Sequence, residues 1–190
     1  KFDNVLNDQR HVIFSQRNEL INNKKIFNYS DNFLNEIIFN LLKVKKKYLI
    51  NPKNNKFDIN LKSIFGKSFD DSEVNRLIEA NDKDFSSQIK DKFIKNREER
   101  INLLGEQGAN EIEKRIFLQT IDLNWKSHIQ YLEQLRQVIG LRSYGQRDPL
   151  VEYKKEAFNL FEGLLEKLKT DLINILINLT IVEKQNDNKE

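Results

Sequence analysis

The segment between residues 141 and 149 carries four side chains suited to contacting a partner, namely Arg142, Tyr144, Gln146 and Arg147. An aromatic ring packs against apolar groups with little selectivity, and guanidinium groups bind carbonyls and carboxylates. The chain reverses direction in this segment, so neither flanking element can easily bury these side chains. We expect them to project into solvent or into a partner. The alternative is that a connecting loop simply contains polar residues.

The elements that flank this segment have the pattern of two long amphipathic helices. In the first, apolar residues follow a spacing close to three and four positions, at Ile112, Ile116, Ile121, Trp125, Leu132, Leu135 and Ile139. In the second they recur at Tyr153, Ala157, Leu160, Phe161, Leu164, Leu168, Leu172, Ile175 and Leu179. This spacing predicts one buried face on each helix. Long helices with a short connection usually pair along their apolar faces, so an antiparallel hairpin is predicted, with Trp125 as a core anchor.

The turn of the hairpin has start and stop signals of its own. Gly140 and Gly145 can adopt the positive φ that ends a helix, and Asp148-Pro149 is an N-cap followed by proline at the first helical position. The second helix is therefore predicted to begin at Pro149.

The composition indicates an all-α protein without an active site. The 190 residues include two prolines, six glycines, no cysteine and two histidines, His11 and His128, far apart in the sequence. Cysteine chemistry is excluded, a metal site is not expected, and His128 is predicted to be a packing residue beside Trp125. Neither a Gly-x-x-x-x-Gly-Lys-Ser/Thr loop nor a Gly-x-Gly-x-x-Gly motif occurs, so we expect no nucleotide binding by these residues.

Charge and hydropathy restrict the possible partners. The net charge is +3, and residues 111–180 contain ten acidic and ten basic side chains, which argues against a nucleic-acid-binding hairpin. No apolar run approaches the roughly twenty residues that span a bilayer, and no signal peptide opens the sequence, so a soluble polypeptide is expected.

The rest of the chain is predicted to be a series of shorter helices. Residues 1–21 have the pattern of a helix already in progress, which suggests a chain cut from something longer. A second helix is predicted to start at Ser30 or Asp31 and to end in the basic run Lys43–Lys47. That run suits phosphate or anionic lipid, but a solvated helix end stabilised by its dipole is the favoured interpretation.

The central segment is less regular. Residues 51–55 are predicted to be a loop, and residues 57–66 a short helix or an extended piece. Further helices are predicted from Asp70 to about Asn81 and from Phe85 to Leu104, with an interruption at residues 105–108. Residues 182–190 form a polar tail that should fray.

Three segments resemble one known family. FDNVLNDQR at residues 2–10 resembles its Tyr-Asp-Asp-Val-x-Asn-x-Gln-Arg motif, and FLQTIDLNWKSH at residues 117–128 resembles its Leu-Gln-x-Leu-Asp-x-x-Trp-x-x-His helix. LRQVIGLRSYGQRDP at residues 135–149, followed by EYK, resembles its Leu-Arg-x-Gly-Ile-x-Leu-Arg-x-Tyr-x-Gln-x-Asp-Pro-x-x-Glu-Tyr-Lys. The family is SecA, the ATP-driven motor of bacterial preprotein translocation. Asn4 and Val138 depart from its usual aspartate and glycine.

The resemblance implies a division of the chain and a role for the turn. Residues 1–21 would begin a helical scaffold, residues 22–108 would form a helical wing, and residues 109–181 would form the scaffold's two-helix finger. The finger tip would enter the cytoplasmic mouth of the SecYEG channel, where Tyr144 would contact the preprotein and its polar neighbours would contact backbone carbonyls or channel acids. ATP and Mg would bind in the family's nucleotide-binding domains, which these residues do not include. The parent protein would be cytoplasmic and peripheral to the inner membrane.

Three functional hypotheses remain from the sequence. The first is the non-catalytic scaffold and finger of a translocation ATPase. The second is a stand-alone helical adaptor for an acidic protein. The third, a nucleic-acid-binding helical domain, is weakened by the balanced charge of the hairpin.

Overall fold

The computed structural model describes residues 2–50, 57–140 and 148–181, and the regular secondary structure within these ranges is entirely helical, as predicted. Among the helices of these ranges, none is both long and apolar enough to cross a membrane. A short 3-10 helix, Gly66–Ser68, follows the third α-helix. The predicted loop at 51–55 and the predicted tail at 182–190 lie outside the described residues. The α-helices are α1 (Phe2–Asn22), α2 (Ile26–Ile50), α3 (Phe57–Phe65), α4 (Asp71–Glu79), α5 (Asp82–Ile139) and α6 (Pro149–Asn178).

The chain folds into two compact units, each built from separate stretches of sequence. The first unit contains the described residues of Lys1–Phe33 and Glu113–Leu172, which are α1, the first turns of α2, the later part of α5 and most of α6. The second unit contains the described residues of Leu34–Ile112 and of the segment that begins at Ile173. It holds α3, α4 and the earlier part of α5.

The first unit contains the predicted hairpin. Near the turn, Leu132, Leu135 and Ile139 of α5 pack with Tyr153 and Ala157 of α6. Farther from the turn, the Asn124 amide donates to the Asp171 carboxylate at 3.1 Å. Because residue numbers fall along α5 as they rise along α6, the two helices are antiparallel. The antiparallel prediction is therefore confirmed.

The predicted apolar faces of α5 and α6 are wrong at the helix ends that lie far from the turn. In α5, Glu113 and Phe117 are buried, whereas Ile112 and Ile116 are only half-buried. Ser30 of α2 donates a hydrogen bond to the Glu113 carboxylate at 2.9 Å, so this buried acid has a polar partner. In α6, Ile175 is exposed, and Ile173, Leu176 and Ile177 are buried instead.

The second unit has an aromatic core and polar side chains that bond helix ends. Phenylalanines and leucines of α3, α4 and α5 are fully buried there. The amide of Asn174 donates to the carbonyl oxygens of Ser63 at 3.1 Å and Ile64 at 2.8 Å, and Asn178 donates to that of Phe65 at 3.0 Å. These bonds satisfy carbonyls at the end of α3 that have no partner within the helix. The short element at 57–66 is thus a helix, one of the two predicted alternatives.

Local signals explain where α4 and α5 begin. Asp70 and Glu73 form a reciprocal capping box, with hydrogen bonds of 2.7 Å and 2.9 Å. Asp70 is the N-cap and α4 starts at Asp71, in agreement with the predicted start of this helix. The side chain of Asn81 accepts from the amide of Asp84 at 2.9 Å, so α5 begins at Asp82 rather than Phe85. The predicted interruption at residues 105–108 is one residue, Gly105, whose φ of 75° kinks an otherwise continuous helix.

One prediction for α2 is wrong, and a second holds for Lys43, Lys46 and Lys47, which are exposed, but not for Lys45. The helix starts at Ile26, not at Ser30 or Asp31, because the Asn23 side chain caps the amide of Lys25 at 2.7 Å and Ile26 is completely buried. The basic run is also not simply a solvated helix end. Lys45 is buried, donates to the carbonyl of Ala80, and lies 5.0 Å from the centre of the Phe85 ring. Its burial lowers the pKa of its ammonium group.

Candidate functional site at the helical hairpin

The predicted contact residues Arg142, Tyr144, Gln146 and Arg147 lie outside the described residues, but the elements on both sides of them are described. The last residue of α5 is Ile139, which is buried. On the other side, the carboxylate of Asp148 accepts from the amide of Leu150 at 2.8 Å, and its carbonyl accepts from Glu152 at 3.1 Å. This geometry confirms the predicted N-cap and places the start of α6 at Pro149.

A hydrophobic cluster fixes the base of the hairpin to the opening helix. Phe2, Val5 and Leu6 of α1 pack against the cluster that α5 and α6 form beside the turn. The Phe2 and Tyr153 rings meet edge to face, with centres 4.7 Å apart. Edge-to-face pairs are favourable beyond their area of contact. The cluster therefore holds α1 against the two helices of the hairpin, α5 and α6, which we call its limbs, at the point where they enter the turn.

A buried polar connection runs through the same three helices. The amide nitrogen of Gln9 donates to the carbonyl of Ala157 at 3.0 Å, and its amide oxygen is 2.8 Å from Nε2 of His128. Because an amide oxygen only accepts, His128 must donate from Nε2, which fixes its protonation on that nitrogen. One glutamine thus joins α1, α5 and α6, and we refer to Gln9, His128 and Ala157 as the polar clamp.

The His128 ring is a packing group, as the sequence predicted. It is 3% exposed and lies between the Trp125 ring at 5.5 Å and the Phe161 ring at 5.7 Å. Burial lowers its pKa to about 4, so the ring is neutral at pH 7. A neutral ring suits an apolar surrounding that offers one strong acceptor, the Gln9 oxygen.

Stability of the chain should depend on pH through His128. The unfolded ring protonates near pH 6.5 and the folded ring only near pH 4, so between these values the unfolded state binds more protons. Stability must therefore fall as the pH drops through this window. At 1.36 kcal/mol per unit of pKa difference, we expect a loss of about 2 kcal/mol between pH 7.5 and pH 5. Urea unfolding at both pH values measures it.

Substitutions at the two histidines separate this effect from the titration of carboxylates. His128→Gln should remove about 2 kcal/mol of the pH dependence, whatever it does to stability at neutral pH. His11→Gln, the same change at an exposed position of α1, is the matched control. An unchanged dependence in His128→Gln would show that the buried ring does not titrate in this window.

Surface ion pairs add to the contact between α1 and α5 but do not dominate it. Arg17 bonds to Asp122 at 3.1 Å and 3.4 Å, and Arg136 bonds to Asp3 at 3.1 Å. Exposed pairs of this kind typically contribute about 0.2–1 kcal/mol. The hydrophobic cluster and the polar clamp are therefore the main restraints on α1.

Sequence reasoning missed the polar clamp, although one signal for it was visible. Gln9 falls on the apolar face of α1, between Val5 and Ile13, where a glutamine needs a partner if it is buried. Asn124 of α5 is a similar case, since it is buried and bonds to the carbonyl of Thr120 at 3.0 Å. The spacing within one helix does not say which partner such a side chain meets.

Comparison with known proteins identifies relatives along almost the whole chain. The family model described as the SecA wing and scaffold domain matches residues 1–180. A protein translocase subunit SecA from Pelagibacter ubique is 63% identical over 187 residues, which cover 98% of this chain and 22% of the relative.

More distant relatives carry the same name. The SecA subunit of Orientia tsutsugamushi is 37% identical over 95% of this chain and 21% of its own length. That of Campylobacter lari is 33% identical over 100% of this chain and 22% of its own length. The chain thus spans about a fifth of the length of these curated relatives.

Proposed function

Because the chain belongs to the SecA family, in which it corresponds to the wing and scaffold domain, we propose that it is the non-catalytic scaffold and finger of an ATP-driven preprotein translocase. In this proposal residues 1–21 belong to the scaffold, residues 22–108 form the wing, and residues 109–181 form the finger. ATP and Mg bind in the nucleotide-binding domains of the parent protein. The parent is cytoplasmic and peripheral to the inner membrane.

The observation that carries the proposal is the three-helix restraint at the base of the hairpin. The buried cluster around Leu135 and Tyr153 and the bonds of Gln9 hold both limbs against α1. Two helices restrained in this way move together with α1. The hairpin is therefore suited to transmit a displacement of the scaffold to its tip.

The chemistry proposed for the tip follows from its residues. Tyr144 offers a ring that packs against any apolar side chain of a passing preprotein, which suits a motor that must move many sequences. Arg142, Gln146 and Arg147 offer donors to backbone carbonyls of the preprotein or to acidic groups at the SecYEG channel. None of these interactions requires a cofactor.

A chimaera tests the proposal directly. The residues of the Pelagibacter ubique SecA subunit that align with this chain are replaced by it, and ATP-dependent preprotein import is measured in inner-membrane vesicles that contain SecYEG. We expect import close to that of the unmodified subunit, because the two segments are 63% identical in sequence. A folded chimaera that hydrolyses ATP but imports nothing would contradict the proposed role and favour a stand-alone adaptor.

A further inference from the structure

The second half of α2 has one face in the core of the second unit and one face in solvent. The inner face is buried and contains Leu34, Ile37, Ile38, Leu41 and Lys45. The outer face is exposed and contains Phe39, Lys43, Lys46 and Ile50, which we call the outer stripe. Since the inner face holds the helix in place, a partner of the outer stripe would not have to order it first.

The four residues of the outer stripe lie along one line of the helix. Their spacings of four, three and four positions keep side chains on the same side of an α-helix, and one helix contacts another at these spacings. Phe39 is 58% exposed and Ile50 is 84% exposed. At a rise of 1.5 Å per residue, these two ends of the stripe are about 16 Å apart. The stripe is therefore apolar at both ends and basic in the middle.

The ammonium groups of the outer stripe are available to carboxylates of a partner. Within the described residues, Lys43 has no ion pair, and its Nζ atom lies 4.1 Å from the centre of the Phe39 ring. Lys46 pairs with Asp82 at 3.0 Å, but both side chains are more than half exposed. An exposed pair of this kind is weak, so a partner carboxylate can take the place of Asp82.

Charged neighbours do not cancel the positive charge at the centre of the outer stripe. Lys47 lies beside the stripe, is exposed, and forms no ion pair in the part of the chain that the structure describes. Two acidic neighbours are Asp82 and Glu36, which is exposed and precedes Phe39 by one turn. With the two lysines of the stripe, three ammonium groups thus stand against two carboxylates.

The order of the residues in the outer stripe matches a helix better than it matches a bilayer. A helix that lies in a membrane surface carries its lysines on the face opposite to its apolar residues. Here the lysines are at the centre of the stripe, so insertion of Phe39 and Ile50 would carry both ammonium groups toward hydrocarbon, where charge is costly. A second helix can instead place a carboxylate opposite each ammonium group and an apolar side chain opposite each end.

We propose that the outer stripe of α2 binds an amphipathic helix of a partner protein, whose contacting face is apolar, acidic, acidic and apolar at spacings of four, three and four positions. These spacings are the same in both directions, so a parallel or an antiparallel partner fits. Opposite charges at facing positions select the partner, as they do between paired helices. A contact of this length is smaller than a standard interface and belongs to the weak, transient class. The proposal does not depend on the role of the hairpin.

The direct test uses the full 190-residue chain and fluorescein-labelled helical peptides in an anisotropy titration. The acidic peptide is an alanine-rich twenty-residue helix, blocked at both ends, with leucine at positions 4 and 15 and glutamate at positions 8 and 11. It should bind, and its affinity should fall as the salt concentration rises. The basic peptide has lysine in place of both glutamates and should bind at least roughly tenfold more weakly. Equal binding of the two peptides would overturn the proposal.

Substitutions in the chain locate the binding, and each has a matched control in the second unit. Lys43→Glu should weaken the acidic peptide roughly tenfold or more and strengthen the basic one, because it reverses the charge opposite a glutamate. Lys95→Glu makes the same change of net charge at an exposed position of α5 and should leave both affinities nearly unchanged. Equal effects of the two variants would show unspecific attraction and overturn the proposal.

The apolar end of the outer stripe distinguishes a helix from a lipid surface. Ile50→Ser should weaken the acidic peptide and leave sedimentation of the chain with phosphatidylglycerol vesicles as it was. Ile94→Ser, at a position of α5 that is 45% exposed, should affect neither. If Ile50→Ser instead reduces binding to vesicles and not to the peptide, the surface meets lipid and the proposal is overturned. None of these outcomes bears on the proposed function, which is tested by preprotein import.

Discussion

Replacing Trp125 with alanine should lower the free energy of unfolding of the chain by about 3–5 kcal/mol, the usual cost of removing a large buried aromatic side chain. The indole is 9% exposed and lies 5.5 Å from the His128 ring. Ile121 and Leu132, which share its face of α5, are buried. Removing the indole leaves a cavity beside His128 of the polar clamp. Urea unfolding at pH 7.5 measures the loss.

Two further variants calibrate this prediction. Trp125→Phe keeps an aromatic ring at the site and should cost less than alanine, because the remaining cavity is smaller. Tyr131→Ala removes an aromatic from the same helix at a position that is 58% exposed, and should change stability by no more than about 0.5 kcal/mol. A loss below about 1 kcal/mol for Trp125→Ala would mean that this face of α5 is not a core and meets a partner instead.

The sequence predicted correctly those features of the fold that depend on residues close together in the chain. The capping box of Asp70 and Glu73 and the N-cap at Asp148 both depend on residues within four positions of each other. The antiparallel pairing of α5 and α6 follows from two apolar faces and a short connection, which the sequence also contains. These features were predictable because no distant residue decides them.

The errors arose where a distant residue decides the outcome. Lys45 belongs to a run of lysines that is typical of a solvated helix end, but the carbonyl of Ala80, 35 residues away, accepts a hydrogen bond from its ammonium group. Glu113 interrupts an apolar pattern, yet it is buried and accepts a hydrogen bond from Ser30, 83 residues away. A helical period cannot reveal such partners.

The candidate site was likewise predicted in part, because some of its contacts follow from local spacing and others join distant residues. The apolar base of the hairpin was predicted from the spacing of Leu132, Leu135 and Ile139, but the polar clamp joins Gln9 to His128 across 119 residues. The identities of both residues agree with family motifs, at Gln-Arg in residues 2–10 and at Trp-x-x-His in residues 117–128. The sequence resemblance includes both residues, but only the structure shows the hydrogen bond that joins them.

Replacing Tyr144 with alanine should reduce preprotein import by the chimaera roughly tenfold or more, which corresponds to at least about 1.4 kcal/mol lost from the step that moves the polypeptide. In our proposal this ring is the apolar contact of the finger with the preprotein. Import into vesicles that contain SecYEG measures the effect. Folding should be nearly unchanged, because substitutions away from cores and caps usually stay within about 0.5 kcal/mol. Among the described residues, those of the buried cluster that restrains the hairpin lie in α1, α5 and α6.

Different replacements of Tyr144 distinguish a contact made by its aromatic ring from a loop that only needs polar residues. Tyr144→Phe should keep much of the import activity, since the apolar body of the ring remains, whereas Tyr144→Ser should behave like alanine. Thermal unfolding of each variant serves as the control for folding. If Tyr144→Ala imports preprotein normally, the contact role fails and the polar-loop interpretation replaces it. If it unfolds the hairpin, the side chain is a structural element, and a loss of import would say nothing about contact with the preprotein.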